Sequence, residues 1–266
     1  MAGINLVCGI IATHGEATNS RSCDGFKEQW LKVIEKNKKI NNVEFYFLYC
    51  SPDVKEVTIK GMDFIVPGEE SVANIIIKTV YFFKYVLENK KECSHVLRTN
   101  LSSFYNFPLL LEKLESLPKS KLVLGSKGGG NAGRPSFPSG SGTVYSIDVI
   151  TKIGEYYKDG MKDVTRKGRR GEDLVIRMDD MIMGALLAKY KIGITHLPYV
   201  NLQRLCKFMS HIKDFVDEKK IKSSPTRNVS FRPWFTNMIK NENKIHYRCS
   251  NPDFEFIFEK LMERYY

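Results

Sequence analysis

The chain is 266 residues long, 42% hydrophobic and 12% aromatic. That is enough for one large domain or two small ones with a substantial core, and too apolar for a mainly disordered protein. Forty-one Lys and Arg against 30 Asp and Glu leave a net charge of +11, which favours an anionic partner: nucleic acid, an acidic membrane surface or a phosphorylated small molecule. No apolar run approaches the roughly 20 residues of a membrane span, and Met1 to Asn5 lack the basic patch of a signal peptide. A cytoplasmic protein without a transmembrane segment is therefore expected. Six scattered cysteines (Cys8, Cys23, Cys50, Cys93, Cys206, Cys249) form no CxxC or CxxH pair, so they read as reduced thiols and not as a zinc site or disulfide framework.

The apolar run Ile4 to Thr13 predicts a strand that ends in the polar segment Thr13-His14-Gly15-Glu16. Phe26, Trp30, Val33 and Ile34 then recur at helical spacing. Val43 to Tyr49 is β-rich and almost wholly apolar, as a strand covered on both faces would be, and Asp63 to Pro67 is a shorter strand. Val72, Ile75, Ile76, Thr79, Phe83, Val86 and Leu87 mark one stripe of a long helix. A strand around His95 to Arg98 follows, then a helix after Pro108 carrying Leu110, Leu111, Leu114 and Leu117, then a strand at Leu122 to Leu124. The alternation predicts an α/β fold whose central sheet is mostly parallel and flanked by helices.

From Gly125 to Gly142 the composition turns to Gly, Ser, Pro and Asn, which predicts a functional loop. Lys158 to Arg170 is basic and polar and reads as a solvated surface loop. A helix starts near Asp179 with Met183, Leu186, Leu187 and Tyr190 along it, and Phe254, Ile257, Phe258, Leu261 and Tyr265 mark a C-terminal helix. No repeat and no clear linker is present, so residues 1–266 are expected to form one domain.

GxxxxGK[ST] is absent, and GxGxxG occurs only inside the Gly-rich stretch, at Gly128 to Gly133, and not as a turn that opens a helix, which argues against a dehydrogenase or a P-loop nucleotidase. Gly140-Ser141-Gly142 does not satisfy GxSxG, so serine-hydrolase chemistry is not indicated. The pair Asp179-Asp180 at a helix start has two readings. Acids are favoured in a first helical turn, where unpaired N–H groups and the macrodipole welcome negative charge; a carboxylate at the carboxyl edge of a sheet can equally act as a general base or bind a metal.

The order of several blocks goes further. Gly25 to Trp30, Glu70 to Thr79, Val96 to Phe104, Pro138 to Ser146, Met178 to Gly184 and His246-Tyr247-Arg248 occur in this sequence in the order of the blocks of GT-A glycosyltransferases. The chain resembles the β-1,3-glycosyltransferase and fringe group, and in style the glycosyltransferases of large DNA viruses of the chlorovirus type. The resemblance covers nearly the whole chain and implies a GT-A, Rossmann-like fold.

It implies transfer of a sugar from a nucleoside-diphosphate sugar, by family habit a UDP-sugar, to a hydroxyl of a glycan or glycoprotein, with inversion at C1. Asp180 maps to the base, and Asp179 to an acceptor-binding or positioning acid. Thr13, His14, Arg21, Lys78, Arg98, Thr99, Asn100, Ser102 and Arg248 are the implied donor-binding residues, and Gly140, Ser141 and Gly142 let the chain approach the sugar on the acceptor side. Where the group carries an aspartate-rich DxD motif, this chain has Asn100-Leu101-Ser102. These neutral oxygens are weaker donors than carboxylates for Mn²⁺ or Mg²⁺, so a divalent cation held by Asn100, Ser102 and His246, with His211 as second choice, would bind weakly. A viral member would act on a capsid glycan in the host cytoplasm. The competing classes are a nucleic-acid-binding protein using the basic surface, against which stands the absence of a helix-turn-helix, zinc-finger or RRM signature, and a catalytically inactive GT-A binding module.

Overall fold

A computed structural model describes residues 4–13, 16–17, 21–37, 42–129, 136–157, 165–167, 173–176, 178–197, 200–201, 244–248 and 254–266. In chain order the elements are β1 (Leu6–Ile11), β2 (Glu16–Ala17), β3 (Arg21–Ser22), α1 (Cys23–Asn37), β4 (Val43–Ser51), β5 (Thr58–Lys60), β6 (Asp63–Pro67), α2 (Ile75–Asn89), β7 (His95–Asn100), β8 (Ser103–Tyr105) and α3 (Phe107–Glu115). They continue with β9 (Val123–Gly129), β10 (Ser136–Ser146), α4 (Ile147–Tyr156), β11 (Thr165–Lys167), β12 (Asp173–Val175), α5 (Asp179–Lys189), β13 (Thr195–His196), β14 (Val200–Asn201), β15 (His246–Arg248) and α6 (Phe254–Tyr265).

Eight strands form the central sheet in the order β13, β9, β10, β7, β1, β4, β6, β5. Every neighbouring pair is parallel except β10 with β7 and β9, and β5 with β6. The sheet is mixed and mostly parallel, with helices on both faces, as the alternating pattern predicts. Successive side chains on a strand point to opposite faces, and β1 shows this division. Leu6, Cys8 and Ile10 join a cluster with Trp30 of α1, Leu110 of α3 and Phe258 of α6. Val7 and Ile11 join a second cluster with Phe83 of α2, Ile150 of α4 and Leu186 of α5. Burial on both faces is why the central strands read as continuous apolar runs.

Three expectations change. The described residues of the Gly125 to Gly142 stretch, 125–129 and 136–142, are not loop but belong to the paired strands β9 and β10, with Gly129 opposite Ser136 and Gly128 opposite Phe137. Because β10 lies between two partners, backbone hydrogen bonds hold it as a strand despite its Gly and Ser content. Val72 does not belong to the buried stripe; it sits in a 3-10 turn, Val72–Asn74, before α2 and is 67% exposed. Leu117 lies beyond the end of α3, where the Ser116 hydroxyl donates to the Lys113 carbonyl (2.7 Å) and Pro118 disfavours helical backbone before it.

The packing of α5 on β10 positions the acidic pair. A Cβ on Gly184 would stand 2.5 Å from Phe137 Cβ and 2.8 Å from the Ser136 carbonyl oxygen, so only glycine lets the helix approach this closely. Among the described residues no helix is long and apolar enough to cross a membrane.

Two predictions concern this framework. Gly184→Val should lower the unfolding free energy by about 1–3 kcal/mol through overpacking, read by chemical denaturation. His95 is fully buried at the start of β7, and burial, reinforced by Lys119 and opposed by Asp148, lowers its pKa to about 4 from the ordinary 6.5. A depressed histidine pKa gives stability that is complete above pH 6.5 and is lost as the pH falls toward 4, about 2 kcal/mol of it by pH 5. Thermal melting should therefore show a smaller loss of midpoint between pH 7 and pH 5 in His95→Leu than in the wild type, and equal losses would refute the assignment.

Candidate active site

The candidate site lies where parallel strands end. In open α/β sheets this edge, outside the carboxyl ends of the strands, is where ligands bind. Ile11, the last residue of β1, stands opposite Asn100, the last residue of β7, and Thr13 follows two residues on. Antiparallel β10 enters from this edge, bringing Ser139 to Gly142 beside the end of β7, with Gly142 opposite Thr99. The β9–β10 register shifts between Pro138 and Thr143, so this short stretch leaves the ladder on the β9 side.

Side chains of the Arg98 to Ser103 block hold the stretch. Arg98 Nη1 donates to the Gly140 carbonyl (2.8 Å), and Asn100 Nδ2 donates to the same oxygen (3.2 Å). The Thr99 hydroxyl (2.8 Å) and the Ser103 hydroxyl (2.6 Å) both donate to the Ser141 carbonyl. Two blocks 40 residues apart in sequence are thereby one polar cluster. Thr99, Ser103 and Ser141 are fully buried, where an unsatisfied carbonyl would cost about 1–3 kcal/mol.

The first turn of α5 completes the site. Asp179 forms an ion pair with Arg98 Nη2. Asp180 accepts a hydrogen bond from the Met181 N–H (2.9 Å), and its other carboxylate oxygen would lie 3.9 Å from a Cβ placed on Gly140. Burial, and then the charge of Asp179, raise the Asp180 pKa above the ordinary carboxylate value of 3.8, against the Met181 N–H and Arg98, which lower it. A raised pKa makes a carboxylate a better proton acceptor when ionised, and such shifts gather at functional sites.

Other candidates have different surroundings. Lys78 is fully buried, and its ammonium donates to the Ala12 carbonyl (2.7 Å) and pairs with Glu70, whose second oxygen accepts from the Cys50 N–H (2.9 Å). It is at the carboxyl edge but is engaged in joining β1, β4 and α2. A Cβ on Gly142 would overlap the Tyr105 hydroxyl, so that glycine makes room for Tyr105. Arg248 stands opposite Ser103 through the β8–β15 pairing, half-buried beside the end of β7. Arg21 lies on β3 with only its backbone described, paired with Ala17. His14 and His211 lie outside the described residues, as does most of Lys158 to Arg170, of which Thr165–Lys167 forms β11.

Asn100, Ser102 and His246 do not fit a hard divalent cation as they stand. Asn100 Oδ1 already accepts from the Ser102 hydroxyl (3.1 Å), and the Ser103 hydroxyl oxygen, whose proton goes to the Ser141 carbonyl, stands 2.9 Å from it. His246 is fully buried, and its ring stacks on Tyr105 with centroids 4.3 Å apart. Burial, followed by the charge of Arg248, lowers its pKa to about 3. Among the described residues no group of three or more His, Cys, Asp or Glu side chains is gathered to hold a metal ion. Ser103 and Tyr105 were not anticipated from sequence. Ser103 sits in the matched block and Tyr105 directly follows it, but their roles depend on a strand pairing that residue spacing does not show.

No protein-family model matches the chain, and no curated protein matches it by sequence. Among solved structures, a glycosyltransferase involved in the glycosylation of the major capsid of PBCV-1 is 9% identical, with a TM-score of 0.45 over 97% of this chain and 99% of that one. The 4-diphosphocytidyl-2C-methyl-D-erythritol synthase of Anaerococcus prevotii is 11% identical, with a TM-score of 0.41 over 73% of this chain and 87% of that one. Likeness at this level carries no activity across to the chain.

Proposed function

We propose that the chain is an inverting, nucleotide-sugar-dependent glycosyltransferase of GT-A type. Its donor would be a UDP-sugar, and its acceptor a glycan hydroxyl, as on a capsid glycoprotein in a host cytoplasm. The observation that carries the reading is Asp180: a half-buried carboxyl with a raised pKa, held at the carboxyl edge of the sheet beside the open Cα of Gly140. The resemblance of the sequence blocks supplies the reaction class.

The nucleoside diphosphate binds across the ends of β1 and β7, with Thr13 on the nucleoside side and Arg248 beside Ser102 and Ser103. Arg is suited to phosphate because its fork of donors matches the oxygens. The acceptor enters over Gly140. Asp180 takes the proton from the acceptor hydroxyl as its oxygen bonds to C1 of the sugar, while the bond from C1 to the diphosphate oxygen breaks and the nucleoside diphosphate leaves. General-base help of this kind contributes about 10²- to 10⁴-fold.

Asp180→Asn should lower transfer by about 10²- to 10⁴-fold with the melting temperature kept or raised, since it removes a charge that burial disfavours. Wild-type turnover in that variant would overturn the base assignment. The transfer rate should fall on the acid side with an apparent pKa above the ordinary carboxylate value, because the base must be ionised. Calorimetric titration with a panel of nucleoside diphosphates, with and without Mn²⁺, should give saturable binding that Mn²⁺ changes little. Binding without turnover of any sugar donor would indicate an inactive binding module, and silence across the panel with steeply salt-dependent affinity for DNA or RNA would indicate the nucleic-acid class.

A further inference from the structure

Arg98 is only 6% exposed, and two of its guanidinium nitrogens are engaged within the protein, Nη1 with the Gly140 carbonyl and Nη2 with Asp179. One side chain on β7 thus touches the two segments that border the proposed acceptor entrance, the irregular stretch of β10 and the first turn of α5. A Cβ on Gly140 would lie 3.3 Å from Arg98 Nη1 and 3.9 Å from Asp180 Oδ2, so guanidinium, glycine and base converge around one point. We propose that Arg98 is a positioning residue, a latch that fixes Asp179 and the Gly140 carbonyl and thereby sets the gap across which Asp180 meets the acceptor. The inference rests on the reading of Asp180 as base, and it replaces the expectation that Arg98 binds the diphosphate.

The chemistry of the pair supports a geometric role over a stabilising one. Desolvating two charges costs about what their attraction returns, and apolar pairs of similar volume often substitute for buried ion pairs without loss of stability. What an apolar pair cannot supply is direction. The planar fork of arginine presents separate donors at fixed angles to a carbonyl and a carboxylate, whereas lysine offers a point charge on a flexible stem. A displacement of about 1 Å at a reacting group can cost about 10²-fold in rate.

The test compares Arg98→Lys, Asp179→Asn and the double variant Arg98→Met with Asp179→Leu. It reads melting temperature, nucleoside diphosphate affinity by calorimetry, and kcat and acceptor KM with the donor that the wild type uses. The latch predicts that the double variant melts near the wild type, binds the nucleotide within about threefold, and loses about 10²-fold or more in kcat. Should the double variant fail to fold, Arg98→Lys carries the test, with near-normal melting and nucleotide affinity and kcat reduced at least about tenfold. Wild-type kcat in the folded apolar pair would make the contact purely structural and overturn the proposal. Nucleotide affinity falling in step with kcat would place Arg98 on the donor and also overturn it. A wild type that turns over no sugar donor sinks the functional reading and the positioning role together, whereas the other two outcomes leave the functional reading standing.

Discussion

The site depends on the union of the Arg98 to Ser103 block with Ser139 to Gly142. Where β10 leaves its ladder with β9, the Gly140 and Ser141 carbonyls would lie at the end of a packed sheet without strand partners on that side. Arg98, Thr99, Asn100 and Ser103 supply four donors to these two oxygens. Buried carbonyls need such partners. A block that reads as a ligand-binding motif is therefore also the part of the chain that shapes the irregular strand.

The acidic pair depends on this union and on one close contact. Gly184 lets α5 lie against Ser136 and Phe137 of β10, and Ile182, Met183, Leu186 and Leu187 anchor the helix in the second core cluster. Its first turn then meets Arg98, which pairs with Asp179 and leaves Asp180 toward Gly140. Adjacent aspartates receive different surroundings in this way. One faces a guanidinium, and the other lies where burial, and then its neighbour's charge, raise its pKa. Such a separation is how two carboxylates come to have two roles.

Other buried polar contacts stiffen the same edge. Trp30 of α1 donates its indole N–H to the Leu101 carbonyl (3.0 Å), in the turn between β7 and β8. Lys78 and Glu70 join Ala12, after β1, to Cys50, near the end of β4. Tyr266 donates its hydroxyl to the Tyr105 carbonyl (2.8 Å) and accepts from the Phe107 N–H (3.0 Å), which brings the C-terminus onto β8 and α3. These ties hold strand ends on a rigid scaffold, the placement that a preorganised polar site requires. They also engage a buried basic residue, Lys78, in holding the fold together.

The sequence by itself determined the α/β class, the central strands and most helices, because hydrophobic periodicity is local and is read within a dozen residues. The apolar run of Val43 to Tyr49 and the helical stripe of Phe26, Trp30, Val33 and Ile34 needed no knowledge of their partners. It also marked Asp179 and Asp180 as candidates, though not which of them would be paired. Only the tertiary structure decided that residues 125–129 and 136–142 of the Gly-rich stretch pair as strands, that Lys78 pairs with Glu70, and that Arg98 pairs with Asp179, 81 residues away. The reason is physical: a polar or glycine-rich segment has no periodicity of its own, and its conformation and charge state are set by the partners that long-range packing brings to it.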